Sequence, residues 1–174
     1  TDLLFALRKA AKDDKVHSVI ARAGGSASLS LAQVQELRGA IESFKTGGVG
    51  GGKSKDVVMV AEGFDSSKSY LLASAGSRIV LQPSGDLTLN GAGIGQLFFK
   101  GALAKAGVVP EFERRHEYKN APDTFLADGY SEAHLESVSA LVDSVKMGVV
   151  DGVAADRGLD PAVVDKLMGE SNFS

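Results

Sequence analysis

The chain of 174 residues contains no cysteine. Disulfides, thiolate zinc sites and a cysteine nucleophile are excluded together, although the compartment is not thereby fixed. Aromatic residues make up only 6%, and the net charge is −3, with acids and bases interleaved along the chain. Without a basic stripe, a nucleic-acid surface is not expected. No apolar run approaches the ~18–20 residues that a membrane span needs. There are three histidines, and neither His17 nor His134 has a carboxylate or histidine at ligand-pair spacing. Both are read as structural or surface residues. No H-E-x-x-H or calcium-loop pattern exists, so no metal site is expected. The start, Thr1-Asp2-Leu3-Leu4, is neither a signal peptide nor a start methionine, which leaves any targeting information upstream.

What is present is ordinary globular material, 44% hydrophobic and 24% charged, long enough for one domain with a real core. Leu3, Leu4, Leu7, Ala10 and Ala11 recur at helical spacing up to the turn Lys12-Asp13-Asp14-Lys15. A β-like run, Val16 to Ala21, ends at Gly24-Gly25. Ser30 to Gln33 reads as a capping box, and Leu31, Val34, Leu37, Ile41 and Phe44 form one apolar stripe ending at Gly47-Gly48. Asp56 to Ala61 is apolar without alternation, as in a strand covered on both faces. A short helix is predicted over Ser66–Ser77, with strands over Arg78–Leu81, Asp86–Asn90 and Val108–Arg114. Further helices are predicted over Phe98–Ala106, from Ser131 with Leu135, Val138, Val142, Val145 and Val149 on one face, and over Pro161–Met168. Strands alternating with helices favour an α/β fold with a layered, mostly parallel sheet and surrounding helices.

Gly47 to Ser54 satisfies the phosphate-loop pattern letter for letter. That loop works by leaving a strand and entering a helix, whose N-terminus then surrounds the phosphates. Here a helix precedes it and a strand follows, so nucleotide binding is not expected and no cofactor is implied. Among the serines, Asp65-Ser66-Ser67-Lys68-Ser69-Tyr70 lies between a buried strand and a helix. A serine there either caps the helix or stands where helix-terminal amides aid an attacking oxygen. Arg115-His116-Glu117-Tyr118-Lys119-Asn120 leaves a strand and enters a loop. Lys119 reads either as a surface lysine or, if water is excluded around it, as a general base. His116 neighbours it and reads as a surface histidine.

Taken in order, several pieces resemble the signal peptide peptidase A, or protease IV, family of serine–lysine peptidases. They are the opening helix with its Lys-Asp-Asp turn, the strand into Gly24-Gly25, and Phe44-Lys45-Thr46-Gly47. Then follow Val57–Ala61, Tyr70-Leu71-Leu72-Ala73-Ser74-Ala75, Leu87-Thr88-Leu89-Asn90-Gly91, Phe98-Phe99-Lys100 and Tyr118-Lys119-Asn120-Ala121. The resemblance spans nearly the whole chain and implies a ClpP/crotonase-like fold. It carries the general base over to Lys119 and oxyanion-site glycines to Gly24 and Gly25. The nucleophile position falls on Ser67, but Lys68 and Ser69 stand where the family has glycines. That departure fits the lysine-bearing N-terminal half of a long two-domain member, with 1–174 as a single domain of it.

The resemblance further implies a serine endopeptidase acting on signal or membrane-derived peptides, assembled as a homo-oligomeric ring or bowl. Membrane association, on the extracytoplasmic or thylakoid side, would come through segments outside this chain. Two other readings stand beside it. One is a non-catalytic scaffold domain of a ring-shaped protease. The other is a crotonase-like acyl-CoA enzyme, whose acidic residues could only be Glu62 and Asp65.

Overall fold

The computed structural model describes residues 2–24, 29–48 and 52–170. These fall into two compact units, residues 1–91 with 148–174 and residues 92–147. The first unit begins with α1 (Asp2–Lys12), β1 (Ser18–Arg22), α2 (Leu31–Lys45), β2 (Asp56–Ala61), α3 (Ser67–Ser74) and β3 (Arg78–Leu81). The strands form a parallel sheet in the order β1-β2-β3, with Ile20 opposite Val58 and Val60 opposite Val80. Parallel neighbours cannot be joined by a tight turn, so each pair is connected through a helix. The α/β layering and the parallel sheet are those expected.

Local sequence explains the boundaries. Ser30 accepts from the Gln33 amide at 3.2 Å while the Gln33 side chain accepts from the Ser30 amide at 2.8 Å, closing the capping box of α2. That helix ends where Gly47 takes φ 78°, a conformation costing glycine little. Its apolar stripe buries Val34, Ile41 and Phe44, and Phe44 packs with Val57 and Met59 of β2 and Ala73 of α3. The strand β2 is covered on one face only: Val57, Met59 and Ala61 are buried, while Val60, with Ile20 and Val80 on its neighbours, is exposed. The expectation of cover on both faces is thus corrected.

Lys55 just before β2 is buried. Its ammonium donates to the Ala10 and Asp13 carbonyls at 2.7 Å each and lies 5.5 Å from the Phe44 ring centroid. A cation there answers the orphan carbonyls and the negative dipole end of α1.

Helix α6 (Glu132–Arg157) ends in this unit, followed by α7 (Pro161–Glu170). Their buried residues Val149, Val150, Val153, Val164 and Met168 cluster with Val34, Leu71 and Leu89. Of the stripe predicted from Leu135, Val149 is buried and Val138, Val142 and Val145 are half-buried, while Leu135 is exposed. Arg38 of α2 ties this layer together. One guanidinium nitrogen donates to the Leu71 carbonyl at 2.5 Å, to Ser74 Oγ at 3.0 Å and to Asp156 Oδ2 at 2.5 Å. Arg38→Met should therefore lower unfolding free energy by about 2–3 kcal/mol, read from urea denaturation, because Asp156 loses its cation in a mostly covered setting.

The second unit contains α4 (Lys100–Lys105), α5 (Asp123–Leu126) and the start of α6. Phe112 stacks on Phe125 at 5.7 Å, and Phe125 on Phe99 at 6.3 Å. The strand expected over Val108–Arg114 is not a strand: the segment has no ladder partner among the described residues. Asp86–Asn90 likewise makes a single parallel bridge, Leu87 with Phe64. β-propensity describes fit to a neighbouring strand, and without one the pattern has nothing to fit. Among the described residues, no helix is long and apolar enough to cross a membrane.

Candidate functional site

In the first unit the chemistry gathers where the parallel strands end, the customary location of ligand crevices in α/β sheets. After β1 the chain turns at Gly24, with φ 106°. A β-carbon built there would lie 2.3 Å from the Gly63 carbonyl oxygen, so only glycine allows the two backbones to meet. Gly85 likewise sits against the Glu62 carbonyl, 2.1 Å from a built β-carbon. These backbone contacts floor a groove of about 440 Å³ lined by Arg22, Gly24, Glu62, Asp65, Asp86 and Thr88 among others. Arg22 and Glu62 pair across it. Gly25 lies outside the described residues.

The start of α3 forms one wall. Ser66 is the N-cap, extended at φ −160°, and its hydroxyl oxygen accepts from the Ser69 amide at 3.3 Å. Asp65 Oδ1 accepts from the hydroxyls of Ser66 and Ser69 at 3.4 and 3.3 Å. Ser67 follows the cap and is buried. Its hydroxyl donates to the Asn90 carbonyl at 2.5 Å, and its amide donates to Asn90 Oδ1 at 3.2 Å. Lys68 turns away and donates to the Leu29 carbonyl. Ser67 therefore holds the helix start against the segment after Leu87, with its proton committed to a carbonyl rather than to a base.

Lys119 belongs to the second unit, on the turn between Arg114 and α5, and its side chain is exposed. The turn passes through His116, whose φ of 69° is uncommon for a residue with a β-carbon. Two hydrogen bonds tether it to α6: the Tyr118 hydroxyl donates to Glu136 Oε2 at 2.8 Å and the Asn120 side-chain amide donates to Ser137 Oγ at 3.5 Å, while Asp123 lies close to His134. The Glu136 hydrogen bond and its negative charge raise the Tyr118 phenol above its ordinary range. Tyr118 is half exposed and leaves the Lys119 side chain open to water.

Sequence reasoning passed over one group, around Asp123. Its Oδ1 accepts from Arg114 at 2.5 Å, its Oδ2 lies 3.5 Å from His134 Nδ1, and both Asp123 and His134 are buried. The Tyr130 ring stands edge-on to His134 at 4.9 Å between centroids. His134 was expected at the surface or satisfied. It is buried, and Nδ1 has no hydrogen-bond partner among the described residues. No periodicity links residues 114, 123 and 134, so no sequence signal pointed to the group.

Residues 52–174 match the family model of peptidase family S49, a span that includes Ser67 and Lys119 but not Gly24. Protease 4 of Salmonella typhi is 26% identical over 160 residues, covering 92% of this chain and 25% of that protein. Protease 4 of Haemophilus influenzae is 30% identical over 130 residues, covering 75% of this chain and 20% of its own. The chloroplastic serine protease SPPA of Arabidopsis thaliana is 28% identical over 146 residues, covering 84% and 20%. The chain thus spans between a fifth and a quarter of the length of these curated relatives. A solved enoyl-CoA hydratase/isomerase family protein from Silicibacter pomeroyi is similar with a TM-score of 0.35 and 17% identity, covering 95% of this chain and 74% of that one. That likeness is too loose to carry an argument. The family match covers well over half of the sequence, and the chain belongs to peptidase family S49.

Proposed function

We propose that this chain is the lysine-bearing domain of a serine peptidase working through a Ser-Lys dyad, with Lys119 as general base and the serine supplied from outside the chain. The observation that carries this is the contrast between the two candidates. Lys119 is presented on a tethered turn with its amine in the open, while the hydroxyl of Ser67 is buried and already donates to Asn90. A nucleophile needs its proton aimed at a base, and Ser67 aims its proton at a carbonyl.

In the mechanism, the outside serine attacks the scissile carbonyl as neutral Lys119 takes its proton. The lysine then returns the proton to the leaving amine. Backbone amides at Gly24 and Gly25 would hold the oxyanion, a role whose loss typically costs about 10²–10³ in rate. A lysine in water is charged and is no base, so the exposed amine must be covered by the serine-bearing domain and the bound peptide. The substrates are signal or membrane-derived peptides, and the enzyme works as a homo-oligomeric ring or bowl at an extracytoplasmic or thylakoid membrane surface. Its membrane contacts come through segments outside this chain.

A second reading, a scaffold domain without catalytic duty, is favoured by one observation, the open setting of Lys119. The Ser67→Ala variant tests the placement of the nucleophile. In the intact enzyme it should keep kcat within about twofold and lose about 1 kcal/mol of stability with its hydrogen bond to Asn90. The isolated chain should cleave no peptide. Robust cleavage by the isolated chain, abolished by Ser67→Ala, would restore Ser67 as nucleophile.

A further inference from the structure

Arg114 and Asp123 stand at the two ends of the turn that carries Lys119, and they are joined by a 2.5 Å charge-assisted hydrogen bond. From these positions we infer that Asp123 is the positioning residue for the Lys119 turn, holding its two ends together beside the first turns of α6. This rests on the assignment of Lys119 as the base.

Four contacts converge on Asp123. Its Oδ1 takes the Arg114 guanidinium, the residue at which the chain enters the turn. Its own amide donates to the Asn120 carbonyl at 3.0 Å, closing the exit of the turn just after Lys119. Its Oδ2 faces His134 Nδ1 at 3.5 Å, and so reaches the first turns of α6. Its carbonyl accepts from the Ala127 amide at 2.9 Å, making the same residue the first of α5. His134 is itself fixed, since its amide donates to Ser131 Oγ at 3.3 Å and Tyr130 stands edge-on to its ring.

Stability alone explains this arrangement poorly. A carboxylate only 2% exposed is costly to bury, and an apolar residue of like size is commonly as stable or more so. What the charge supplies is geometry. Arg114 is half exposed, so its guanidinium would leave for water unless Asp123 drew it in. With that link broken, residues 115–122 would keep the Tyr118 and Asn120 side-chain tethers and the backbone hydrogen bonds from Asp123 to Asn120 and from Lys119 to His116, none of which holds the Arg114 end. Lys119 would still be present but would no longer be held at one place. A misplacement of about 1 Å of a reacting group costs roughly 10²-fold in rate.

The experiment compares Asp123→Asn, Arg114→Lys and Lys119→Ala in the intact enzyme, by steady-state peptide cleavage and by amide hydrogen exchange. Asp123→Asn should lower kcat by roughly 10- to 100-fold with KM within about twofold, and speed exchange at residues 115–121 while β2 stays protected. Arg114→Lys, which keeps a cation on Asp123, should lower kcat much less than Asp123→Asn does. A general loss of stability would instead speed exchange throughout and change activity only through the folded fraction. Asp123→Asn with undiminished kcat, or with unchanged exchange in 115–121, overturns the inference. If Asp123→Asn does not fold, Arg114→Gln at the half-exposed end gives the same two readouts with the same meaning. Full activity of Lys119→Ala would sink the base assignment instead, and the exchange result would still report whether Asp123 holds the turn.

Discussion

Lys119→Ala in the intact enzyme should lower kcat by about 10²–10⁴-fold, the range a positioned general base contributes. KM for a peptide substrate should barely move, because the amine acts on the proton of the nucleophile rather than on peptide binding. Lys119→Arg should be as inactive, since a guanidinium stays protonated and cannot accept the serine proton. Neither change should alter the melting temperature of this domain, because the side chain is exposed and surface substitutions away from buried features are nearly neutral. That combination separates the two readings of the chain. A catalytic domain loses its rate with its fold intact, whereas a scaffold domain cleaves as before with Lys119 removed.

The second large effect is expected at Gly24. An alanine there must adopt a φ of 106° and place its β-carbon 2.3 Å from the Gly63 carbonyl oxygen and 3.0 Å from the Ala61 β-carbon. Strained backbone at such a φ costs about 1–3 kcal/mol, and the overlap with a neighbouring main chain adds about 1–3 kcal/mol. Gly24→Ala should therefore destabilise the first unit by about 2–6 kcal/mol in urea denaturation. The Gly63 carbonyl has to move, so the groove floor shifts with it. Gly39→Ala is the matched control. It lies within α2 with nothing within 4 Å of its built β-carbon, so alanine should stabilise by up to about 1 kcal/mol. If both variants cost the same, the contact with Gly63 is not what fixes glycine at position 24.

The elements legible in the sequence were those whose signal is local. The Ser30–Gln33 capping box and the glycine stop at 47 placed α2 because both act through neighbouring residues. The apolar run at 57–61 placed β2. The failures are all matters of partners. Val108–Arg114 has the composition of a strand, but a strand is made by its neighbour, and Glu111 and Glu113 alternate with apolar residues just as well in an unpaired segment. Lys55 reads as one more polar residue of a glycine-rich loop, and only the fold brings the end of α1 over it. In the site, Lys119 came from the resemblance and not from spacing. Nothing in the sequence announced that Arg114, Asp123 and His134 meet, because they lie on three separate segments, a loop, α5 and α6, that only the fold brings together.

The burial of Lys55 has a chemical corollary. Lys53 and Lys55 are separated by one residue, yet the first amine is exposed and the second is enclosed beneath the end of α1. An amine-acylating reagent thus meets two different nucleophiles within three residues. It can reach the second only in molecules whose first helix has momentarily come away. The rate of acylation at Lys55, relative to that at Lys53, is then a clock for the opening of α1, kept by the protein's own side chain and needing no attached probe.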